Sequence, residues 1–175
     1  DDTFREKCRA YDWSKGGDGM NTYEILIIAL NKDEIVARIM SLFNRRGYYV
    51  KKMTAGATNR EGYARLTLTV EGDEMILDQI QKQAYKIIDV IKVKVFPVSG
   101  VLRREMMLIK VKSSNATRAG ILEISNIYRG SVLDVSMNSI TIELTGDVEK
   151  LKGFVEIMES YGILEIAKTG VVAMS

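Results

Sequence analysis

Histidine is absent from this chain of 175 residues, and cysteine and proline occur once each, as Cys8 and Pro97. Each scarcity removes a class of function. Without imidazole there is neither the commonest general base nor the commonest transition-metal ligand, so Ser-His-Asp and Cys-His catalysis and nearly every zinc site fall away. A single cysteine cannot close an internal disulfide, which suits a reducing, cytoplasmic setting. No apolar run reaches the roughly 18 residues that a membrane-spanning helix needs. The 25 lysines and arginines nearly balance 23 acidic residues, and the formal net charge of +2 gives little electrostatic drive toward nucleic acid.

What is present is a composition 46% hydrophobic and 27% charged, that of a folded soluble chain with room for one large domain or two small ones. Residues 1–19 hold two opening aspartates, no apolar stretch of the signal-peptide kind, and the run Gly16-Gly17-Asp18-Gly19. They read as an extension, with Met20 in the position of a start and with Cys8 and Trp13 carrying no function.

From Tyr23 to Leu30 the chain is almost continuously apolar, as a strand buried on both faces would be. The recurrence of Ile35, Ile39, Leu42 and Phe43 predicts a helix that stops at Gly47. Strands follow at 48–56 and 64–70, then a helix opened by Gly72-Asp73 with Ile76, Ile80, Ala84 and Ile87 on one face. A last strand carries Ile91, Val93 and Val95 inward, and its outward Lys92 and Lys94 suit a protected edge. Past Pro97 and Gly100 the same order returns: a strand at 105–111, a helix at 117–129 ended by Gly130, a hairpin around Asn138-Ser139, a helix at 147–161 and a strand at 163–167. The second-helix entries match even in letters, Val70-Glu71-Gly72-Asp73 against Leu144-Thr145-Gly146-Asp147.

The fold class is therefore α+β, two tandem ferredoxin-like βαββαβ units with antiparallel sheets, at 20–98 and 99–175. Two helices cover one face of each sheet, yet the first strands are apolar on both. Stacking of the two units, or pairing of sheets across a homodimer, would cover the second face. Met53, Met75, Met106, Met107 and Met158 fall at inward positions and are expected to fill core gaps.

The turn Leu30-Asn31-Lys32-Asp33-Glu34 is the most informative spot. Backbone N–H groups at a helix start attract a carboxylate, so an amino-acid effector could dock there beside Asn31; the blander alternative is ordinary capping by Asn31 or Asp33. Arg46-Gly47-Tyr48-Tyr49-Val50 has the letters of an RNA-recognition signature, but it begins the second strand, and the third strand offers no stacking aromatics. Arg45, Arg46, Lys51 and Lys52 are either a solvated face or a partner-protein contact. Asp33-Glu34 and Asp73-Glu74 sit at helix N-termini, where negative charge is stabilising without any catalytic role. No phosphate loop or dinucleotide fingerprint occurs.

A set of segments, in order, resembles a known family from Met20 onward. They are Arg38 with Ser41-Leu42-Phe43-Asn44-Arg45-Arg46-Gly47-Tyr48, Gly72-Asp73 with Gln79-Ile80-Gln81-Lys82-Gln83, and Arg104 to Lys110. Ile127-Tyr128-Arg129-Gly130 with Asp134-Val135, Glu143-Leu144-Thr145-Gly146 and Ala167 to Met174 continue it. The family is the small, regulatory subunit of acetolactate synthase. The resemblance implies an N-terminal ACT domain, a C-terminal ACT-like domain and a homodimer. It further implies a non-catalytic role on an acetolactate synthase catalytic subunit of branched-chain amino-acid biosynthesis, with valine as feedback effector. Thiamine diphosphate, magnesium and flavin (FAD) belong to that catalytic subunit, and none is expected in this chain.

The family-matched effector positions are Asn31, Lys32, Asp33, Glu34, Ile35 and Tyr49. Two of them depart from the pattern. Where the family has a glycine three residues after the asparagine, this chain has Glu34, and where it has an asparagine after Arg-Gly-Tyr, this chain has Tyr49. Both departures oppose an amino-acid ligand, because Glu34 brings charge and bulk to a carboxylate site and Tyr49 lacks the paired donor and acceptor of an amide. The resemblance thus implies a regulatory subunit with weakened valine feedback. The alternative is a stand-alone ACT-type module that senses a small molecule and controls another enzyme.

Overall fold

The computed structural model describes residues 21–98 and 101–174, so the reading of residues 1–19 as an extension lies outside the described residues. The first unit runs β1 (Asn21–Leu30), α1 (Ile35–Arg45), β2 (Val50–Ala57), β3 (Tyr63–Gly72), α2 (Glu74–Ala84) and β4 (Val90–Pro97). The second runs β5 (Leu102–Lys112), α3 (Arg118–Ile127), β6 (Ser131–Val135), β7 (Ser139–Gly146), α4 (Val148–Glu159) and β8 (Ile163–Lys168), with β9 (Val172–Met174) after it. Strand order is β2-β3-β1-β4 in one sheet and β6-β7-β5-β8 in the other, all pairings antiparallel. Two ferredoxin-like units in tandem are what the repeated element order requires.

Each core follows from period-two strands facing period-3.6 helices. Ile25, Ile27 and Ala29 of β1, paired across to Leu68, Leu66 and Ala64 of β3, meet Ile35, Ile39 and Phe43 of α1 and Leu77, Ile80 and Ala84 of α2. In the second unit Met107, Ile109 and Val111 face Ile121, Leu151, Phe154 and Met158. Phe154, which the helical spacing did not single out, is fully buried and packs edge-to-face on Tyr128 at 5.2 Å. Burying such a ring stabilises the unit by roughly 3 kcal/mol.

The duplicated Gly-Asp entries do the same work twice: Asp73 accepts the Ile76 N–H and Asp147 accepts the Lys150 N–H, each at 2.8 Å. Gly47 ends α1 with φ of 70°, a conformation costly for a residue with a Cβ. After α3, by contrast, the left-handed residue is Arg129, at φ of 56°, and not Gly130.

Several sequence expectations are corrected. Met53, Met75 and Met106 are exposed, Met75 by 71%; only Met107 and Met158 of the five methionines fill the core. Ile91 points outward because a register shift between Ile28 and Ala29 changes the phase of β4, placing Val90 inward in its stead while Val93 is buried as expected. Strand β9 has no counterpart among the described residues of the first unit; it pairs with the start of β5, Leu102 opposite Met174 and Arg104 opposite Val172.

That β5–β9 ribbon lies over part of the helix-free face of the first sheet. Arg103 reaches the fully buried Glu24 at 2.8 Å, Lys52 reaches Glu105 at 2.5 Å, and the Arg65 guanidinium donates to the Ala173 carbonyl. Gly170 sits so close to β2 that a Cβ there would meet the Met53 carbonyl oxygen at 2.5 Å and crowd Thr54 Oγ1. Stacking of the units therefore covers part of that face.

Candidate functional site

The β1–α1 turn is held from both sides. The Leu30 N–H donates to the Asp89 carbonyl and the Asn31 N–H to that of Gly62, both at 2.8 Å, so the turn hangs between the β2–β3 and α2–β4 loops. Glu34 occupies the N-cap position of α1 with helical backbone angles and makes no side-chain cap. Neither Asn31 nor Asp33 supplies one, against the capping reading; both are exposed.

Around this turn lies an open cleft of about 230 Å³ lined by Lys32, Asp33, Glu34, Ile35, Arg38 and Asp89. Asp89 is its buried anchor, with a side chain only 4% exposed. It accepts Lys32 Nζ at 2.5 Å and Arg38 Nη1 at 3.3 Å. Arg38 turns its remaining donors on Glu34 Oε2, at 2.7 and 3.1 Å, in an i,i+4 pair that is well exposed. Two cations are thereby engaged by two carboxylates, and the Glu34 carboxylate borders the cleft at the start of α1. An exposed pair of this kind is worth about 0.5 kcal/mol, so Glu34 is held only lightly.

Four adjacent family-matched positions, Lys32 to Ile35, line this cleft, and Asn31 precedes them in the same turn. Tyr49 does not join them. It lies beyond the opposite end of α1, whose 11 residues span about 16 Å, and is 68% exposed. Reasoning from the sequence missed Asp89, which meets Lys32 across 57 positions. The Glu34–Arg38 spacing was the one local signal pointing to the network.

Each of the four cations expected to form a solvated face or a partner contact has a polar partner within the chain. Arg45 donates to the Ser41 carbonyl of its own helix and Arg46 to Gln83 of α2. Lys51 pairs with Glu71, and Lys52 is drawn under the second unit by Glu105. Burial pushes the Glu24 carboxyl up from its ordinary value, an effect that Arg103, the Thr69 hydroxyl and Lys52 reduce. Burial likewise pushes the Lys168 ammonium down, Glu105 opposing and Lys52 adding to the effect.

Among the described residues no helix is long and apolar enough to cross a membrane. A family model described as the small subunit of acetolactate synthase matches residues 104–175, and one described as the ACT domain matches residues 31–93. A probable acetolactate synthase small subunit of Archaeoglobus fulgidus is 41% identical over 152 residues, which cover 87% of this chain and 95% of the relative. The acetolactate synthase small subunit of Mycolicibacterium smegmatis is 40% identical over 158 residues, 90% of this chain and 93% of the relative. The crystal structure of the acetolactate synthase small subunit from Thermotoga maritima superposes with a TM-score of 0.82 at 35% identity, covering 87% of this chain and 96% of that one. With both units matched in order and over nearly their whole length, the chain belongs to the acetolactate synthase small subunit family.

Proposed function

We propose that this chain is the non-catalytic, cytoplasmic regulatory subunit of an acetolactate synthase, a homodimer that raises the activity of a thiamine-diphosphate-dependent catalytic subunit and answers weakly or not at all to valine. The partnership rests on the family likeness across both units. The weakened feedback rests on one observation, the Glu34 carboxylate beside the cleft at the start of α1, tied only to Arg38. A second carboxylate brought there meets a like charge, at a cost on the order of 1 kcal/mol in solvated surroundings and more when water is excluded. Tyr49, at the far end of α1, can border the same ligand only from a second copy of the chain.

Reconstitution tests this. The chain added to the catalytic subunit is expected to stimulate acetolactate formation, and valine is expected to leave the holoenzyme active. Sub-millimolar inhibition by valine through this subunit would overturn the weakened-feedback reading. Absence of any association would favour a stand-alone sensor.

A further inference from the structure

The β5–β9 ribbon meets the first sheet's helix-free face at Lys52 and Thr54 of β2, Arg65 of β3 and Glu24 of β1, and leaves part of that face uncovered. On the β4 side a groove of about 240 Å³ stays open, with Leu26 and Ile28 as its half-buried floor and Met174 among its walls. Its other lining residues are Arg65, Lys92 and Lys94. Strand register makes them neighbours: Lys94 stands opposite Leu26, and both Arg65 and Lys92 stand opposite Ile28.

No carboxylate lines the groove. Elsewhere along this face the cations are matched, Lys52 by Glu105, Arg103 by Glu24 and Lys51 by Glu71. Lys92 and Lys94 form no ion pair among the described residues, the Lys94 ammonium standing 5.6 Å from the Phe96 ring centre. Arg65 spends one donor on the Ala173 carbonyl, while its Nε is buried without a partner. A chain of net charge +2 thus gathers three positive charges around one apolar strip. Like charges on adjacent strands repel, so the cluster weakens the isolated sheet, and an arriving anion relieves it.

We propose that this groove is a docking surface for an acidic segment of the catalytic subunit, its carboxylates meeting Lys92, Lys94 and Arg65 and an apolar side chain resting on Leu26, Ile28 and Met174. The proposal rests on the regulatory-subunit reading above and names the surface that reading leaves open. An acidic peptide segment suits the combination of cations with a hydrophobic floor, since charged steering sets the encounter and apolar burial holds it.

The experiment titrates the full chain onto the catalytic subunit and compares it with Lys92→Glu/Lys94→Glu. Binding by the native chain is expected to weaken as salt rises. The charge-reversed chain is expected to bind at least tenfold more weakly, with the salt dependence flattened, while Lys92→Arg/Lys94→Arg binds normally. Should the reversal disturb folding, Lys92→Gln/Lys94→Gln gives the same readout with a smaller loss. Native affinity in the reversed variants overturns the proposal. So does conversion of a native dimer to monomer by sedimentation, which would make the groove an interface between copies. A native chain that fails to bind the catalytic subunit at all removes the regulatory-subunit reading and this surface together, an outcome distinct from the other two.

Discussion

Lys52 Nζ on β2 stands 2.5 Å from Glu105 Oε1 on β5, joining residues 53 positions apart across the two units. Their side chains are 24% and 3% exposed, so the carboxylate has surrendered its water and the lysine is its replacement. Beside them Arg103 and Glu24 form a second, crossed pair at 2.8 Å. The acidic partner comes from the second unit in one pair and from the first unit in the other, which resists sliding in either direction.

Breaking one partner alone leaves a buried charge behind. Lys52→Met is expected to lower unfolding stability by about 3 kcal/mol, and Lys52→Met with Glu105→Leu to recover most of that loss. Denaturant melts of the two singles and the double make the comparison, and additive losses would show that the pair is not coupled.

Gly170 is required by close approach. Gly170→Ala must displace the β2 backbone at Met53, and a loss of roughly 1–3 kcal/mol is expected, with hydrogen exchange rising in both β2 and β9. Unchanged exchange in β2 would contradict the observed packing.

Stability should carry the mark of Glu24 on the acid side. Its carboxyl titrates above the ordinary 4.5 in the folded chain. The folded state therefore holds that proton more tightly, and the associated stability is complete below 4.5 and is lost as pH rises through the folded value. Glu24→Gln cannot lose it, so the variant should gain on the native chain in Tm as pH rises from below 4.5 through the folded value. For Lys168, depressed from 10.5, stability is gained as pH rises from the folded value toward 10.5, and Lys168→Met should flatten that alkaline rise. A constant Tm difference across pH in either comparison would refute the corresponding assignment.

At the β1–α1 turn, charge and bulk can be separated. Glu34→Gln removes the charge and keeps the size, and should improve valine binding about fivefold, the equivalent of 1 kcal/mol. Glu34→Gly with Tyr49→Asn should improve it further. Calorimetry on the full chain reads both, and a double variant still blind to valine would mean that the Glu34 carboxylate is not the obstacle.

The legible part of this chain is the part governed by local periodicity. Alternation in β3, the 3.6-residue recurrence of Ile35, Ile39 and Phe43, and the twin Gly-Asp entries each state their element within a few residues, and so the tandem order is readable in one dimension. The outward side of Ile91 escapes any period-two pattern because a bulge changes the phase of a strand without leaving a local mark. Met53, Met75 and Met106 misled because methionine is compatible with either side of an element.

By itself, then, the sequence determined two ferredoxin-like units, their twin Gly-Asp helix entries and the turn that carries Asn31 and Glu34, because neighbours in the chain settle propensity and amphipathic face. Tertiary structure alone decided that Asp89 anchors that turn, that Lys52 pairs with Glu105 of the other unit, and that Arg65, Lys92 and Lys94 converge without a carboxylate. Those relations join residues 57, 53 and about 30 positions apart. Charge pairing at such separations depends on sheet register and on how one unit lies over the other, and neither is written in any local stretch of residues.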